Sequence, residues 1–270
     1  LNIMGEEYTN KLKEAFENNW IDVYEKDNKM TGAYSMGIHS VHPFVLLNFI
    51  NSSRDVSTIA HELGHSMHSY YASKNQNAIN ANYTIMVAEV ASTFNESLLM
   101  QYLLRTTTDK KQKAYLINYF LEQFRTTLYR QTMFAEFEDI THKAIEAGQV
   151  LTAEWMCEQY EALNAKYYGP AVEKDDTIKY EWARIPHFYN AFYVYKYATG
   201  YSAATAISNK ILSEGKPAAD KYIEFLKTGE SDYPIELLKI AGVDMSTPEP
   251  IEKAMETFNA LLDEFEKLVG

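Results

Sequence analysis

Two histidines and a glutamate at helical spacing are the residues of this 270-residue sequence best suited to chemistry. Residues 61 to 65 read His61-Glu62-Leu63-Gly64-His65, within a segment whose apolar residues favour a helix. Positions i and i+4 lie one turn apart on the same helix face, so both imidazoles can bind one metal ion. Glu62 lies beside that face, where it can act as a general base on a metal-bound water. The segment therefore predicts a metal site that activates water.

A third ligand is expected from a following helix, because two histidines and one carboxylate leave a coordination position open for water. Glu89 and Glu96 are the two candidates, both in a helix expected over residues 84–105. Glu89 lies among apolar residues, where burial of an unpaired carboxylate is costly, and metal ligation would remove that cost. We therefore favour Glu89 as the ligand. Glu96 is interpreted as a solvated acid or as one that contacts a ligand from behind.

The remaining histidines and the single cysteine have simpler interpretations. His68 lies too far along the helix to share a tetrahedral ion with His61, since seven residues rise about 10.5 Å. It is expected to be neutral and packed, or to lie behind the ligands. His68 and Tyr71 also replace the Gly and His of the metzincin motif, which excludes that class of protease. We interpret His39 and His42 as structural residues or as residues that line the cleft. His142 is interpreted as a surface residue, and Cys157 as a packing residue.

The elements that position these residues are mainly helical, because Gly and Pro are sparse and apolar residues recur at spacings of three and four. Short strands are expected only at 33–39 and 44–50. The absence of repeats and long linkers predicts one domain over residues 1–270. Helices are expected near 6–25, 53–75, 84–105, 110–147, 152–168, 190–213, 217–228, 233–241 and from about 251 to 265.

Composition excludes several classes of partner. A net charge of −12 disfavours nucleic acid, whose phosphates attract a basic surface. No run of residues approaches the ~18 apolar positions of a membrane span, so no membrane partner is expected. The first twenty residues have no apolar segment typical of a signal peptide, and a single cysteine suits a reducing compartment. We therefore expect a cytoplasmic protein.

Five segments of the sequence resemble the oligoendopeptidase F members of the thimet oligopeptidase-like (M3) zinc peptidases. The resemblance implies a mainly α, zincin-type catalytic domain with a small β-sheet beside the active-site helix. It also implies one Zn²⁺ per chain with His61, His65 and Glu89 as metal ligands, and Glu62 as the base. Members of the family carry an N-terminal, mostly helical half ahead of this region. The segments are residues 32–35, 46–48, 54–56, 61–71 and 88–93.

A second, aromatic segment covers residues 184–201. Several of its aromatic residues are interpreted as core, including Phe188, Phe192 and Tyr195. The family resemblance implies that a histidine and tyrosines of this region stabilise the tetrahedral intermediate. The residues that match are His187, Tyr193 and Tyr197, with Tyr201 as a weaker match.

We weigh two functions, and the metal site alone leaves a third open, a zinc hydrolase with a non-peptide substrate. The first is a zinc-dependent endopeptidase that hydrolyses internal bonds of short, unstructured peptides, with Glu62 as the base. The second is a catalytically impaired fragment of such an enzyme that still binds peptides. In either case the expected partners are short peptides and an N-terminal half of the same enzyme.

Overall fold

A computed structural model describes residues 2–173 and 175–270 of the chain, and it is mainly helical with one small sheet. This confirms the fold class expected from the sequence. The strands are β1 (Ile21–Asp22), β2 (Tyr34–Met36) and β3 (Phe44–Leu46). The helices are α1 (Glu6–Glu17), α2 (Ser53–Asn75), α3 (Ile85–Thr106), α4 (Lys110–Gln123), α5 (Arg130–Glu146), α6 (Ala153–Tyr168), α7 (Tyr195–Glu214), α8 (Lys216–Leu226), α9 (Pro234–Ile240) and α10 (Glu249–Val269).

The chain divides into two compact units. The first unit contains the residues up to Leu121 together with Gly200–Gly270, and the second contains Glu122–Thr199. Each unit has its own buried apolar residues. Met67 and Phe94 lie in the core of the first unit, and Phe137 and Tyr160 lie in that of the second. A single catalytic domain over residues 1–270 stays a prediction.

The sheet has β3 at its centre. Val45 pairs with Ile21 of the parallel strand β1 on one side and with Ser35 of the antiparallel strand β2 on the other. The two strands expected from the sequence are present but shorter than their apolar runs. The third strand, β1, lies where a helix to residue 25 was predicted, and that part of the prediction is wrong. The helix ends at Glu17. Asn19 has a left-handed φ of 59°, which is incompatible with a right-handed helix.

Helix α2 has a strong local start signal. The Ser52 side chain accepts a hydrogen bond from the backbone of Asp55, and the Asp55 side chain accepts one from the backbone of Ser52. This capping box satisfies two backbone donors that would otherwise lack helical partners. It fixes the start of α2 ahead of the 61–65 segment, which therefore lies within regular helix.

The second unit departs from the sequence prediction in two places. The helix expected near 110–147 is not continuous, because a π-type turn at Phe124–Tyr129 separates α4 from α5. The helix expected from residue 190 begins only at Tyr195. Ahead of it, Ile178–Arg184 and Pro186–Tyr189 form short 3₁₀ turns. His187 and Tyr193 therefore lie outside regular helix.

Within the described part of the chain, no helix combines the length and the apolar character needed to cross a bilayer.

Candidate functional site

Helices α2 and α3 bring three of the sequence-predicted residues together. One oxygen of Glu89, Oε2, lies 3.3 Å from His61 Nε2 and 3.7 Å from His65 Nε2. One potential ligand atom from each residue lies within 4.8 Å of the other two. The two imidazole rings meet edge to face, with centroids 4.9 Å apart. Three ligand atoms therefore converge on one point between the helices.

Gly64 explains how the two helices approach closely enough for this convergence. A Cβ atom added at Gly64 would lie 2.4 Å from the carbonyl oxygen of Ala91 on α3 and 2.6 Å from the Cα of Ser92. Any larger residue would clash with backbone, which cannot move aside as a flexible side chain does. The glycine between His61 and His65 thus lets α3 place Glu89 against both histidines.

The ionisation states of Glu89 and His65 suit a cation, whereas His61 retains a proton. Burial would raise the pKa of Glu89, but its contacts with His61, His65 and Ser92 lower that pKa to about 2. Burial, and then the charge of His61, lowers the pKa of His65 to about 4. Burial would also lower the pKa of His61, but the carboxylates of Glu89 and Glu96 raise it to about 10. The site already concentrates negative charge at the point where the ligand atoms converge.

This donor set fits zinc. Two imidazole nitrogens and one carboxylate oxygen form a common protein ligand set of catalytic zinc sites, with the fourth position open. The residues lie on a helix pair rather than on loops, so their spacing is fixed by packing. In the metal-free chain, His61 carries a proton that a metal ion has to displace.

Glu62 has the properties of a proton acceptor. It is buried on α2, and its Oε2 has no hydrogen-bond partner among the described residues. Burial is the main reason that its pKa is raised to about 7, with the charges of Glu89 and Glu96 adding to the effect; the charge of His61 and the N–H of Ser35 oppose it. A carboxylate with a pKa near neutrality can both accept and release a proton at pH 7.

Glu96 contacts a predicted ligand from behind. Its Oε1 lies 2.5 Å from Nδ1 of His61, and its Oε2 accepts a hydrogen bond of 2.8 Å from Ser57. A carboxylate on Nδ1 fixes the orientation of the ring and leaves Nε2 directed at Glu89. Of the two interpretations that the sequence left open for Glu96, the structure supports the contact from behind.

His68 is packed away from the site. Its ring stacks on Tyr83 with centroids 3.7 Å apart, and neither nitrogen has a hydrogen-bond partner among the described residues. Burial, and then the charge of His65, lowers its pKa to about 3. The neutral, packed histidine expected from the sequence is confirmed. His42 stacks on Trp20 in the first unit, and Cys157 is buried in the second.

The second unit holds the other predicted site residues as a compact aromatic cluster. The rings of His187 and Tyr193 are stacked with centroids 5.6 Å apart, and Tyr193 and Tyr197 meet edge to face at 5.6 Å. The Tyr197 hydroxyl lies 3.3 Å from His187 Nε2. His187 is exposed, so its imidazole can meet a ligand. Tyr201 is buried in the first unit, which favours packing for this weaker match.

Comparison with known proteins shows the family of this chain. A model of peptidase family M3 matches residues 2–257. The chain belongs to peptidase family M3. Among curated relatives of this M3 chain, Oligopeptidase PepF of Bacillus subtilis is 54% identical over 266 residues, which is 98% of this chain and 40% of that protein. The resemblance expected from the sequence motifs is confirmed.

Solved structures of relatives share the fold of this M3 chain. A candidate peptidase of Chlamydophila abortus superposes with a TM-score of 0.92 at 45% identity, over 100% of this chain and 45% of that one. Oligoendopeptidase-F from Enterococcus faecium gives a TM-score of 0.73 at 48% identity, over 80% of this chain and 39% of that one. The chain spans less than half the length of the relatives it matches.

Two features of the M3 chain's site were not assigned from its sequence. The contact between Glu96 and His61 was left open, because a glutamate seven residues after Glu89 has the same helical spacing whether it is solvated or packed. The role of Gly64 was missed, although a glycine inside a helix costs free energy relative to alanine and so signals a packing reason.

Proposed function

We propose that this chain is the metal-binding catalytic portion of a zinc-dependent endopeptidase that hydrolyses internal bonds of short, unstructured peptides. The observation that carries the proposal is the convergence of His61, His65 and Glu89 within 4.8 Å, beside the buried carboxylate of Glu62. The three converging residues would hold one zinc ion. Membership of the M3 family supports the peptidase activity.

Each residue of the site has a separate role in the proposed reaction. When bound, zinc supplies Lewis acidity and lowers the pKa of water toward ~7. Glu62 accepts the proton of the attacking water at its unpartnered Oε2 and passes it to the nitrogen of the leaving amine. The raised pKa of Glu62 suits both transfers near neutral pH. Glu96 holds His61 in the tautomer that leaves Nε2 for the metal.

Strand β2 explains why the proposed substrates are unstructured peptides rather than folded proteins. It pairs with β3 along one edge, and Tyr34 and Met36 are exposed. An extended peptide can add to the other edge of β2 as a further strand. The N–H of Ser35, in the middle of β2, hydrogen-bonds Glu62, so this strand reaches the proposed base. A folded protein cannot present an extended segment to such an edge, whereas a short flexible peptide can.

The resemblance to M3 peptidases supports a role in the transition state for His187, Tyr193 and Tyr197. Negative charge builds on the carbonyl oxygen as water attacks, and a phenol or imidazole donor stabilises that charge more than it stabilises the neutral substrate. Tyrosine suits this role because its reference pKa of about 10 keeps the hydroxyl protonated at neutral pH. We assign no zinc-binding role to these three residues.

The chain spans only 40% of Oligopeptidase PepF, which supports a further portion of a larger enzyme as a partner. The family resemblance implies that this portion is an N-terminal half. The same observation favours the alternative function, an impaired fragment that still binds peptides. Cytoplasmic localisation remains part of the proposal.

Substitution of Glu62 by Gln tests the function directly. We expect Glu62→Gln to retain zinc but to lose about 10²–10⁴-fold in the rate of cleavage of a quenched peptide, because the amide cannot accept the proton. Glu256→Gln on α10, an exposed glutamate paired with Lys253, is the matched control and should cleave at the parent rate. Loss of zinc by Glu62→Gln, or cleavage at the parent rate, would contradict the assigned role. Zinc binding without cleavage by the parent would favour the impaired fragment.

A further inference from the structure

The loop between the 3₁₀ turn at Pro186–Tyr189 and helix α7 contains a strained residue. Phe192 has a φ of 53°, in the left-handed region. Bulky residues other than glycine rarely adopt this conformation, and it persists only where surrounding contacts hold it. The contacts that hold Phe192 therefore need an explanation.

Helix α5 supplies those contacts. The backbone N–H of Phe192 donates to Glu138 Oε1 at 2.5 Å. The His142 ring, one turn later on the same helix, packs on the Phe192 ring with centroids 4.6 Å apart. The strained residue is thus held at both its backbone and its side chain by one helix.

Glu138 is an unusual residue to find in this position. Its exposed fraction is 4%, and among residues 2–173 and 175–270 no lysine, arginine or histidine forms an ion pair with it. Burial of a carboxylate without a cation is costly unless hydrogen bonds compensate for the lost water. The backbone of Phe192 is the donor that the structure provides. A role in fixing the loop explains why a charged residue is tolerated in the core of this unit.

The residue that follows Phe192 belongs to the aromatic cluster. Tyr193 stacks on His187, and both lie within the segment whose course Phe192 redirects. We propose that Glu138 is a positioning residue that fixes Phe192 in its left-handed conformation and thereby keeps Tyr193 stacked against His187. The proposal concerns the arrangement of the cluster, and only its kinetic consequence rests on the proposed peptidase function.

Nuclear magnetic resonance tests the arrangement without any assay of activity. Selective ¹⁵N labelling of the 13 phenylalanines gives a spectrum in which the signal lost in Phe192→Leu identifies the Phe192 amide. We expect that proton far downfield in the parent, as for short bonds to carboxylates. It should move upfield in Glu138→Ala but stay close to its position in Glu138→Gln, whose amide oxygen is still an acceptor. Asp139→Ala, which removes the exposed neighbour paired with Lys143, should leave it unchanged.

Kinetics then separate positioning from simple packing. Displacement of a catalytic group by about 1 Å can cost 10²-fold in rate, so Glu138→Ala should lower kcat by roughly that factor with little change in KM. Glu138→Gln should keep most of kcat.

An unmoved Phe192 amide in Glu138→Ala overturns the proposal, as does a moved amide with parent-like kcat. If Glu138→Ala does not fold, a folded Glu138→Gln that loses kcat while its Phe192 amide is unchanged overturns it. A parent chain that cleaves no peptide contradicts the proposed function, whereas the amide spectra still decide the positioning role.

Discussion

The predicted metal ligands and the predicted transition-state donors lie in two differently built regions. His61, His65 and Glu89 lie on two long regular helices of the first unit, with Glu96 hydrogen-bonded behind one of them. His187 and Tyr193 lie in the second unit, in a 3₁₀ turn and a loop. The first arrangement follows from helix period and from the close contact at Gly64. The second depends on one strained loop held from a neighbouring helix. The residues predicted to bind a metal therefore come from regular secondary structure, and two of those predicted to act in the transition state come from irregular backbone that α5 contacts.

The largest expected effect is loss of the metal on removal of the carboxylate ligand. Glu89→Ala should abolish tight zinc binding, because it removes one of three ligands and leaves His61 and His65 without the charge that faces them. A competition titration against a chelator measures the affinity. Glu256→Ala on α10 is the control and should bind as the parent does. Equal zinc affinity in the parent and in Glu89→Ala would show that the cluster on α2 and α3 is not a metal site.

The second prediction concerns the tyrosines in the loop before α7 and in its first turn. Tyr193→Phe or Tyr197→Phe should lower kcat by about 10²–10³-fold, while zinc content and KM change little, because the hydroxyl acts only on the developing oxyanion. Steady-state kinetics with zinc measured in the same samples provide the test. A lower melting temperature with near-normal kcat would instead assign these tyrosines to the core of the second unit.

A smaller effect on zinc binding is expected at Glu96, which contacts the predicted ligand His61. Glu96→Ala should weaken zinc binding by about 10–100-fold, the usual cost of removing a carboxylate that orients a histidine ligand. Glu96→Gln should fall between the parent and the alanine variant, because its amide oxygen can still accept from His61 Nδ1. The same chelator titration applies to both variants. An alanine variant that loses zinc as completely as Glu89→Ala would make Glu96 a ligand and Glu89 the supporting acid.

The sequence predicted the helical region with the metal ligands better than it predicted the loop of the second unit. Helix period was enough to place His61, His65 and Glu89 on facing helices and to separate His68 from them. It could not distinguish the solvated and packed positions of Glu96, since both have the same spacing. In the second unit, the left-handed Phe192 donates its backbone N–H to Glu138, which lies 54 residues away in sequence. A contact of that range leaves no local signal. The short strand β1 was missed for a related reason, because two residues carry no readable period and the pairing with β3 defines them.

The smallest effect is a pH dependence of stability that arises from His68. This ring is buried against Tyr83, and within the described part of the chain the titratable group that acts on it is His65, one turn away. Burial, and then the charge of His65, lowers its pKa to about 3, whereas the unfolded chain protonates histidine near 6.5.

Between these two values the unfolded chain binds one more proton at this residue than the folded chain does. The free energy of unfolding therefore falls as the pH falls from about 6.5, by up to about 1.4 kcal/mol for each pH unit. His68→Phe keeps an aromatic ring against Tyr83 but cannot take up a proton. Urea unfolding of metal-free parent and variant at pH 7 and pH 5.5 should show a smaller loss for His68→Phe. His39→Gln, which alters an exposed histidine of the same unit, should lose as much as the parent. Equal losses in all three proteins would mean that His68 is accessible to protons in the folded chain, and that the helix carrying the predicted ligands is less rigid than its packing indicates.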